Sequence, residues 1–331
     1  RLSDSRSGWI RERGEDGAQV RWLSEGTIPP HNYFTSCEIT GDDQYDRIVF
    51  SLREPVAFAV SSEINPTNRL IIDIFNTHFA TTWMSHKAGA KFIGPVTGEQ
   101  IEDDCLRVTV PINSKQIWGY WTERSGNTLT VFVRRPPQIA VAPDSPLKGL
   151  KFALEAGHGG SSAGAVGTMG TKEKSINLMA VTELERLLKE RGAEVIQVRP
   201  GDSEPLFRDR LAWTNEFGAH MYIAVHANAA GSSRGFLKIS GTSTYYRDIH
   251  CWLPSQLVYD KLLGLGWGEF GVVGNFSYYP LRDTRTPGIL IEQAFMSNPY
   301  DEARMLEPEY QKAQAEVVVE ALEEFFDKVR E

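Results

Sequence analysis

The sequence predicts a two-part chain: a β-sandwich-like domain followed by an α/β domain whose mostly parallel sheet carries helices on both faces. Three observations lead there. Residues 31–136 hold apolar runs of period two, separated by turn clusters such as "EINPTN" and "ERSGN". From Leu150 onward, strand-like and helix-like runs alternate, the pattern of a parallel sheet with crossover helices. Between them "RRPPQIAVAPDSPLKG" (134–149) places four prolines in sixteen residues, which favours an extended, stiff linker over 137–149. A length of 331 residues also fits two domains better than one.

Residues 1–30 read as the remnant of a small β-module: two short apolar runs around a polar turn, ending at Pro29-Pro30. In 31–136 the runs "DRIVFSL" (46–52), "RLIIDIF" (69–75), "LRVTVPI" (106–112) and "LTVFVRR" (129–135) are rich in β-branched and aromatic residues. No glycine cradle or carboxylate cluster accompanies them, so this domain is expected to bind or to space. In the second part "KFALEA" (151–156) is a strand. "KSINLMAVTELERLLKERG" (174–192) is a helix with Ile176, Leu178, Met179, Leu184, Leu187 and Leu188 mainly on one face, stopped by Gly192. A strand (193–199), a helix with a glycine stop (206–218) and two strands, "MYIAVHA" (221–227) and "GILIEQAF" (288–295), follow. A long amphipathic helix opened by proline (308–330) closes the chain.

Composition excludes several classes. A hydrophobic content of 41% and a charged content of 24% match an ordinary folded domain, not a disordered chain. The formal net charge of −8 and the lack of a Lys/Arg run argue against a nucleic-acid partner. No apolar run reaches the length of about 18 residues that a transmembrane helix needs. No signal peptide is visible, and a chain that opens on Arg1 says nothing about location. Cys37, Cys105 and Cys251 form no CxxC pair, so a thiolate metal site is not expected. Cys37 and Cys105 could pair in an oxidising compartment, which the sequence leaves open. Cys251 beside Trp252 reads as a buried hydrophobe.

The chemistry concentrates where strands end. His158, in "EAGHGG", lies just past the first strand of the α/β part. His226 ends the third, Glu292 lies near the end of the fourth, and Glu173 opens the first helix. A parallel sheet brings such ends to one edge, where ligands bind. Two histidines and a glutamate suit a catalytic zinc with one open position, and Glu292 is left as an acid/base. Gly157, Gly159 and Gly160 would let the backbone fold tightly around a ligand and keep its approach clear. Phosphate cradling fails on detail, because neither GxxxxGK[ST] nor a helix-opening GxGxxG is present. The plain alternatives are a capping His158 and a dipole-favoured Glu173. Glu292 resists one, since a carboxylate inside an apolar strand is costly unless it is paired or functional. His31, His78, His86, His220 and His250 have no matching context. Arg199, Arg210 and Arg282 could orient a substrate, with salt-bridging the simpler role.

"LEAGHGG", "GTKEKSINL", "AVHANA" and "GILIEQAFMSNP" occur in the order and spacing of a known family. From about Lys151 to Phe326 the chain resembles the zinc-dependent N-acetylmuramoyl-L-alanine amidases of the Amidase_3 type. The resemblance implies zinc (Zn2+, one per chain) on His158, Glu173 and His226, with Glu292 as general base. It implies peptidoglycan as substrate, cut between the lactyl group of N-acetylmuramic acid and L-alanine. Asn228 and Arg282 are candidate substrate contacts, and Trp267, Phe270, Phe276 and Tyr278 candidate groove aromatics. A zinc peptidase acting on the stem peptide and an inactive wall-binding module are the alternatives. Two departures stand out: Glu155 where Asp is more usual, and "IEQAF" where "VELGF" is commoner, placing Gln293 and Ala294 beside the catalytic carboxylate. Some relatives carry a blocking helical insertion between the third motif and the catalytic strand. The 65 residues between His226 and Glu292 show no spare acidic helix, so an open site is expected. "DRIVFSL" followed by "RLIIDIFN" resembles, more weakly, the AMIN domains that hold such amidases to wall or septal components. The 1–30 remnant is similar to the end of a bacterial SH3-like module. Together these imply a periplasmic or extracellular place in the cell envelope.

Overall fold

The computed structural model describes residues 9–13, 20–24, 32–79, 83–231 and 237–331. His31 lies outside them. The chain divides into two units, Arg1–Pro136 and Pro137–Glu331.

In the first unit, β1 (Trp9–Arg13) pairs antiparallel with β2 (Val20–Ser24). The remaining strands are β3 (Asn32–Gly41), β4 (Tyr45–Leu52), β5 (Phe58–Glu63), β6 (Arg69–Phe75) and β7 (Thr77–Phe79). They continue with β8 (Met84–His86), β9 (Thr97–Glu102), β10 (Cys105–Pro111), β11 (Tyr120–Ser125) and β12 (Thr128–Arg134). One sheet runs β11-β12-β4-β3-β7 with β8 also on β3, and the other runs β5-β6-β10-β9. Alternation explains the core. Ile48, Phe50 and Leu52 of β4 and Leu129, Val131 and Val133 of β12 point inward, and they share one cluster with Leu70, Ile72, Leu106 and Val108 of the other sheet. Each such side chain contributes roughly 1.5–3 kcal/mol on burial. Asp46 is the charged exception on that inner face. Its Oδ1 takes two bonds from Arg135 (2.9 and 2.7 Å), and its Oδ2 accepts the amides of Lys91, Phe92 and Ile93. Cys37 and Cys105 are both free and buried, and burial pushes the Cys37 thiol up to about 12.

The second unit begins earlier than the proline pattern suggests. Pro146, Leu147 and Leu150 are buried, and Ser145 Oγ donates to Glu323 Oε1 at 2.8 Å. The segment expected to be a stiff linker over 137–149 is therefore folded onto this unit from Ser145 onward. Its elements are β13 (Lys151–Ala156), α1 (Glu173–Glu190), β14 (Glu194–Gln197), α2 (Phe207–Phe217), β15 (Met221–Asn228) and β16 (Thr242–Tyr245). Then come α3 (Trp252–Leu263), β17 (Glu269–Val273), β18 (Gly288–Phe295), α4 (Pro299–Met305) and α5 (Pro308–Lys328).

The sheet order is β14-β13-β15-β18-β16-β17. All neighbours are parallel except β16 and β18, so the sheet is mixed rather than wholly parallel. The steps β13-α1-β14 and β14-α2-β15 run in opposite directions across it. Right-handed crossovers then put α1 and α2 on opposite faces. Along β13 the faces alternate accordingly: Phe152 meets Phe326 of α5 edge-on, while Glu155 pairs with Arg210 of α2. Helix α1 buries Ile176, Ala180, Val181, Leu184, Leu187 and Leu188, but Met179 is exposed and Leu178 half-buried, so the apolar stripe is narrower than expected. The helix ends at Gly192 (φ 83°), whose amide bonds Lys189 O while the Ala193 amide bonds Leu188 O, a Schellman closure. Asn298 caps α4 by accepting the amides of Tyr300 and Asp301, with Pro299 next to it in the first turn. That accounts physically for the Ser-Asn-Pro run after β18.

Candidate metal centre

Three elements deliver the three candidate ligands. His158 stands two residues past β13 with φ 65°, a left-handed backbone that non-glycine residues seldom adopt. Glu173 is the first residue of α1 and His226 lies near the end of β15. Glu173 sits between the histidines: Oε2 is 3.0 Å from His158 Nε2, and Oε1 is 3.1 Å from His226 Nδ1. The imidazoles are 5.2 Å apart and nearly perpendicular. One nitrogen or oxygen from each residue lies within 4.8 Å of the others. Access is one-sided, since the His158 side chain is 28% exposed while Glu173 and His226 are each 5% exposed.

The glycines are explained by what a side chain would strike. A Cβ on Gly157 would stand 2.3 Å from His226 Cε1. One on Gly164 (φ 69°) would stand 2.4 Å from Glu173 Oε2 and 2.7 Å from His158 Cδ2. The stretch that follows, Thr168–Thr171 ahead of Glu173, is fastened by Glu302 of α4, which is fully buried. It accepts Thr168 Oγ1 (2.8 Å) and the amides of Met169 and Thr171 (2.9 and 3.2 Å). Burial opposes the Glu302 charge, and these bonds outweigh it, so its pKa is lowered.

Glu292 is the parallel-register partner of His226. Its carboxyl is pushed up to about 8, chiefly by burial, with Glu173 adding and His226 opposing. Burial also works against the Glu173 charge, but the two histidines more than offset it and hold that carboxyl well below the usual range. The residues fit a cation. His226 Nε2 and Glu292 Oε2 are both buried without a hydrogen-bond partner, a condition that costs about 1–3 kcal/mol per group unless something binds there. Two imidazoles and a carboxylate are also the donor set of an open zinc position.

The remaining candidates fall elsewhere. Asn228 Oδ1 accepts the Ala229 amide and its Nδ2 approaches Tyr245 Oη at 3.4 Å, so it shapes the turn after β15. Arg282 is exposed. Its guanidinium bonds back to Ser277 (2.9–3.2 Å) and lies over Tyr279. Arg199 is buried on the carbonyls of Gly201 and Lys174. Tyr278 meets His226 edge-on at 5.3 Å and Phe276 stacks behind it. Trp267, by contrast, is core, packed on Tyr310 and Arg304, and Phe270 packs on Phe295. Gln293 is not beside the groove as its position next to Glu292 suggests. Strand alternation turns it into the core, 0% exposed. Helix α3 packs on α5 and β16, in the helical layer and not over the histidines. Sequence reasoning missed Glu302, whose signal was available: a cap-and-proline start, "NPYDE", with acids in the first turn.

An α/β sheet brings two histidines and a glutamate to its carboxyl edge, beside a buried strand carboxylate, a donor set that could hold a metal ion. The Amidase_3 family model, described as N-acetylmuramoyl-L-alanine amidase, matches residues 153–324, just over half of the chain, and the chain belongs to that family. It is 28% identical over 188 residues to the uncharacterized protein YqiI of Bacillus subtilis (strain 168), covering 55% of this chain and 88% of that one. It is 29% identical over 188 residues to the probable cell wall amidase LytH of Staphylococcus epidermidis, covering 55% of this chain and 60% of LytH. Among solved structures, the catalytic domain of CwlV, an N-acetylmuramoyl-L-alanine amidase from Bacillus (Paenibacillus) polymyxa var. colistinus, superposes with a TM-score of 0.50. That match is 26% identical and covers 54% of this chain and 98% of CwlV.

Proposed function

We propose that this chain is a zinc-dependent peptidoglycan amidase that hydrolyses the bond between N-acetylmuramic acid and the L-alanine of the stem peptide. The observation that carries the reading is the His158–Glu173–His226 group with Glu292 in register beside it. Zinc bound there supplies Lewis-acid activation of a water and of the scissile carbonyl. Glu292 takes the proton of the attacking water and returns it to the alanine nitrogen as the amide breaks. Glu173 carries the negative charge of the ligand set and sets the two imidazoles. The half-exposed His158 side leaves room for the lactyl group and the peptide to enter. Asn228, the last residue of β15, and Arg282 are candidates to steer the peptide. The kinship to cell wall amidases supports a site of action in the periplasm or outside the cell. Among the described residues no helix is long and apolar enough to cross a membrane. The first unit, two β-sheets around one core, fits an AMIN-like role in holding the enzyme to wall or septal material.

The test is purified sacculi treated with the protein, with chelator, and with zinc restored, read by mass spectrometry. Free stem peptides beginning at alanine, together with glycans bearing free lactyl groups and only with zinc, are expected. Cleavage between two amino acids would make it a peptidase instead. Glu292→Ala should retain zinc and lose orders of magnitude in rate, and near-normal turnover would remove Glu292 from its role. His226→Ala should lose tight zinc.

A further inference from the structure

Behind Glu173 runs an uninterrupted chain of buried side-chain hydrogen bonds. Trp267 Nε1 donates to Tyr310 Oη at 3.1 Å, and Tyr310 Oη donates to Gln314 Oε1. Gln314 Nε2 donates to Gln293 Oε1 at 3.0 Å, and Gln293 Nε2 donates to Asn177 Oδ1 at 3.1 Å. Asn177 Nδ2 then donates to Glu173 Oε1 at 3.1 Å. Gln293 and Asn177 are 0% exposed, and Gln314 and Glu173 4%.

The two ends fix the direction of every link. An indole N–H can only donate, and an ionised carboxylate can only accept. Each amide between them must therefore present its oxygen toward Trp267 and its nitrogen toward Glu173. The side bonds agree: Gln311 Nε2 donates to Gln293 Oε1, Gln293 Nε2 to His226 O, and Asn177 Nδ2 to Gly157 O. With both ends set, no amide in the chain can flip without breaking two buried bonds. Gln293 is the middle link and joins α5 to α1 through β18. An apolar residue there would leave Asn177 Oδ1 and Gln314 Nε2 unpaired and free Asn177 to turn away from Glu173.

We propose that Gln293 is a positioning residue for the metal centre: it holds Asn177 so that Asn177 fixes the Glu173 carboxylate in its ligating orientation. This rests on the amidase reading for the presence of zinc, but not on which bond is cut. Partners that orient a metal ligand typically carry about 10–100-fold in metal affinity.

The test is the zinc dissociation constant, by competition with a chelating dye, for the full chain and for Gln293→Leu, Asn177→Leu and the double variant. Gln293→Leu is expected to bind zinc at least about tenfold more weakly, with unchanged circular dichroism. In the Asn177→Leu background the same substitution should add little, because its effect passes through Asn177. A general loss of packing would instead lower the melting temperature and weaken zinc by the same factor in both backgrounds. That result, or wild-type affinity in folded Gln293→Leu, overturns the proposal. If Gln293→Leu does not fold, the pair Gln311→Leu and Gln314→Leu withdraws both amide bonds to Gln293 Oε1 while leaving Gln293 in place. It should weaken zinc several-fold, and an unchanged affinity would overturn the proposal. Failure of the unsubstituted protein to bind zinc is a separate result and refutes the metal reading itself.

Discussion

Replacing Gly157 by alanine tests whether the turn is shaped around His226. The new Cβ would lie 2.3, 2.4 and 2.6 Å from Cε1, Nδ1 and Nε2 of the imidazole. Carbon contacts settle near about 3.5 Å, so the ring or the strand end must retreat by about 1.2 Å. The ring has nowhere easy to go: His226 is 4% exposed, with Glu173 at one edge and Tyr278 against it. Overpacking of this kind costs about 1–3 kcal/mol. A displacement of about 1 Å at reacting groups costs on the order of 10²-fold in rate. The assay is threefold: melting temperature, zinc retained after dialysis, and turnover on sacculi. Gly170→Ala is the control. It shares a positive φ (84°) but meets nothing within 4 Å, so it should show only modest strain, about 1–2 kcal/mol, with zinc retained. A Gly157→Ala protein with wild-type zinc content and wild-type rate would show that the turn is not built around the ring.

Glu302→Ala should release the Thr168–Thr171 loop, raising its protease sensitivity and lowering activity about tenfold or more through His158 and Glu173; equal proteolysis of the two proteins would contradict this. Asp46→Ala leaves Arg135 buried without its partner and should destabilise the first unit by roughly 3–5 kcal/mol, read by urea denaturation, while zinc binding is unchanged. His250 is buried and its pKa is lowered to about 4 by desolvation. The unfolded chain, with an ordinary histidine near 6.5, therefore binds a proton that the folded chain refuses between those values. That stability is complete above pH 6.5 and is lost as pH falls toward 4. Between pH 7 and 5 the loss is about 2 kcal/mol, at about 1.4 kcal/mol per unit. His250→Leu should lack that part of the acid sensitivity, and an identical pH dependence in both proteins would rule it out.

The site was more legible than the core around it. His158, His226 and Glu292 stand out because a polar residue at the end of an apolar strand has few structural reasons to be there. Glu173 was found through the glycine loop before it. The supporting shell was hidden for the opposite reason: Asn177, Gln293, Gln311 and Gln314 are spaced along helices and a strand like ordinary polar residues, and only packing reveals that they are buried together. Strands β4 and β12 alternate cleanly, and β6 and β10 are rich in β-branched residues, so their runs are visible to within a residue. β5, β9 and β11 carry exposed edges and polar residues, "FAVSSE", "TGEQIE" and "YWTERS", and hide among turns. β16, "TSTY", is polar yet wholly buried, because its hydroxyls find buried carbonyls: Thr242 Oγ1 donates to Glu292 O of β18 and Thr244 Oγ1 to Ser255 O of α3.

The two halves of the candidate metal centre rest on ground of different firmness. His226 and Glu292 face each other across β15 and β18, the central pair of a six-stranded sheet. Central strands of this kind open at a cost close to that of unfolding the whole domain. His158 hangs on a loop held by glycines, by Ser162 and by the reach of Glu302. Such a loop opens at much lower cost. On warming or in mild denaturant the centre should come apart in sequence, losing the His158 ligand first while the strand carboxylate and imidazole stay in place. Activity would then fade well below the temperature at which the sheet melts, and would return on cooling without the domain having refolded.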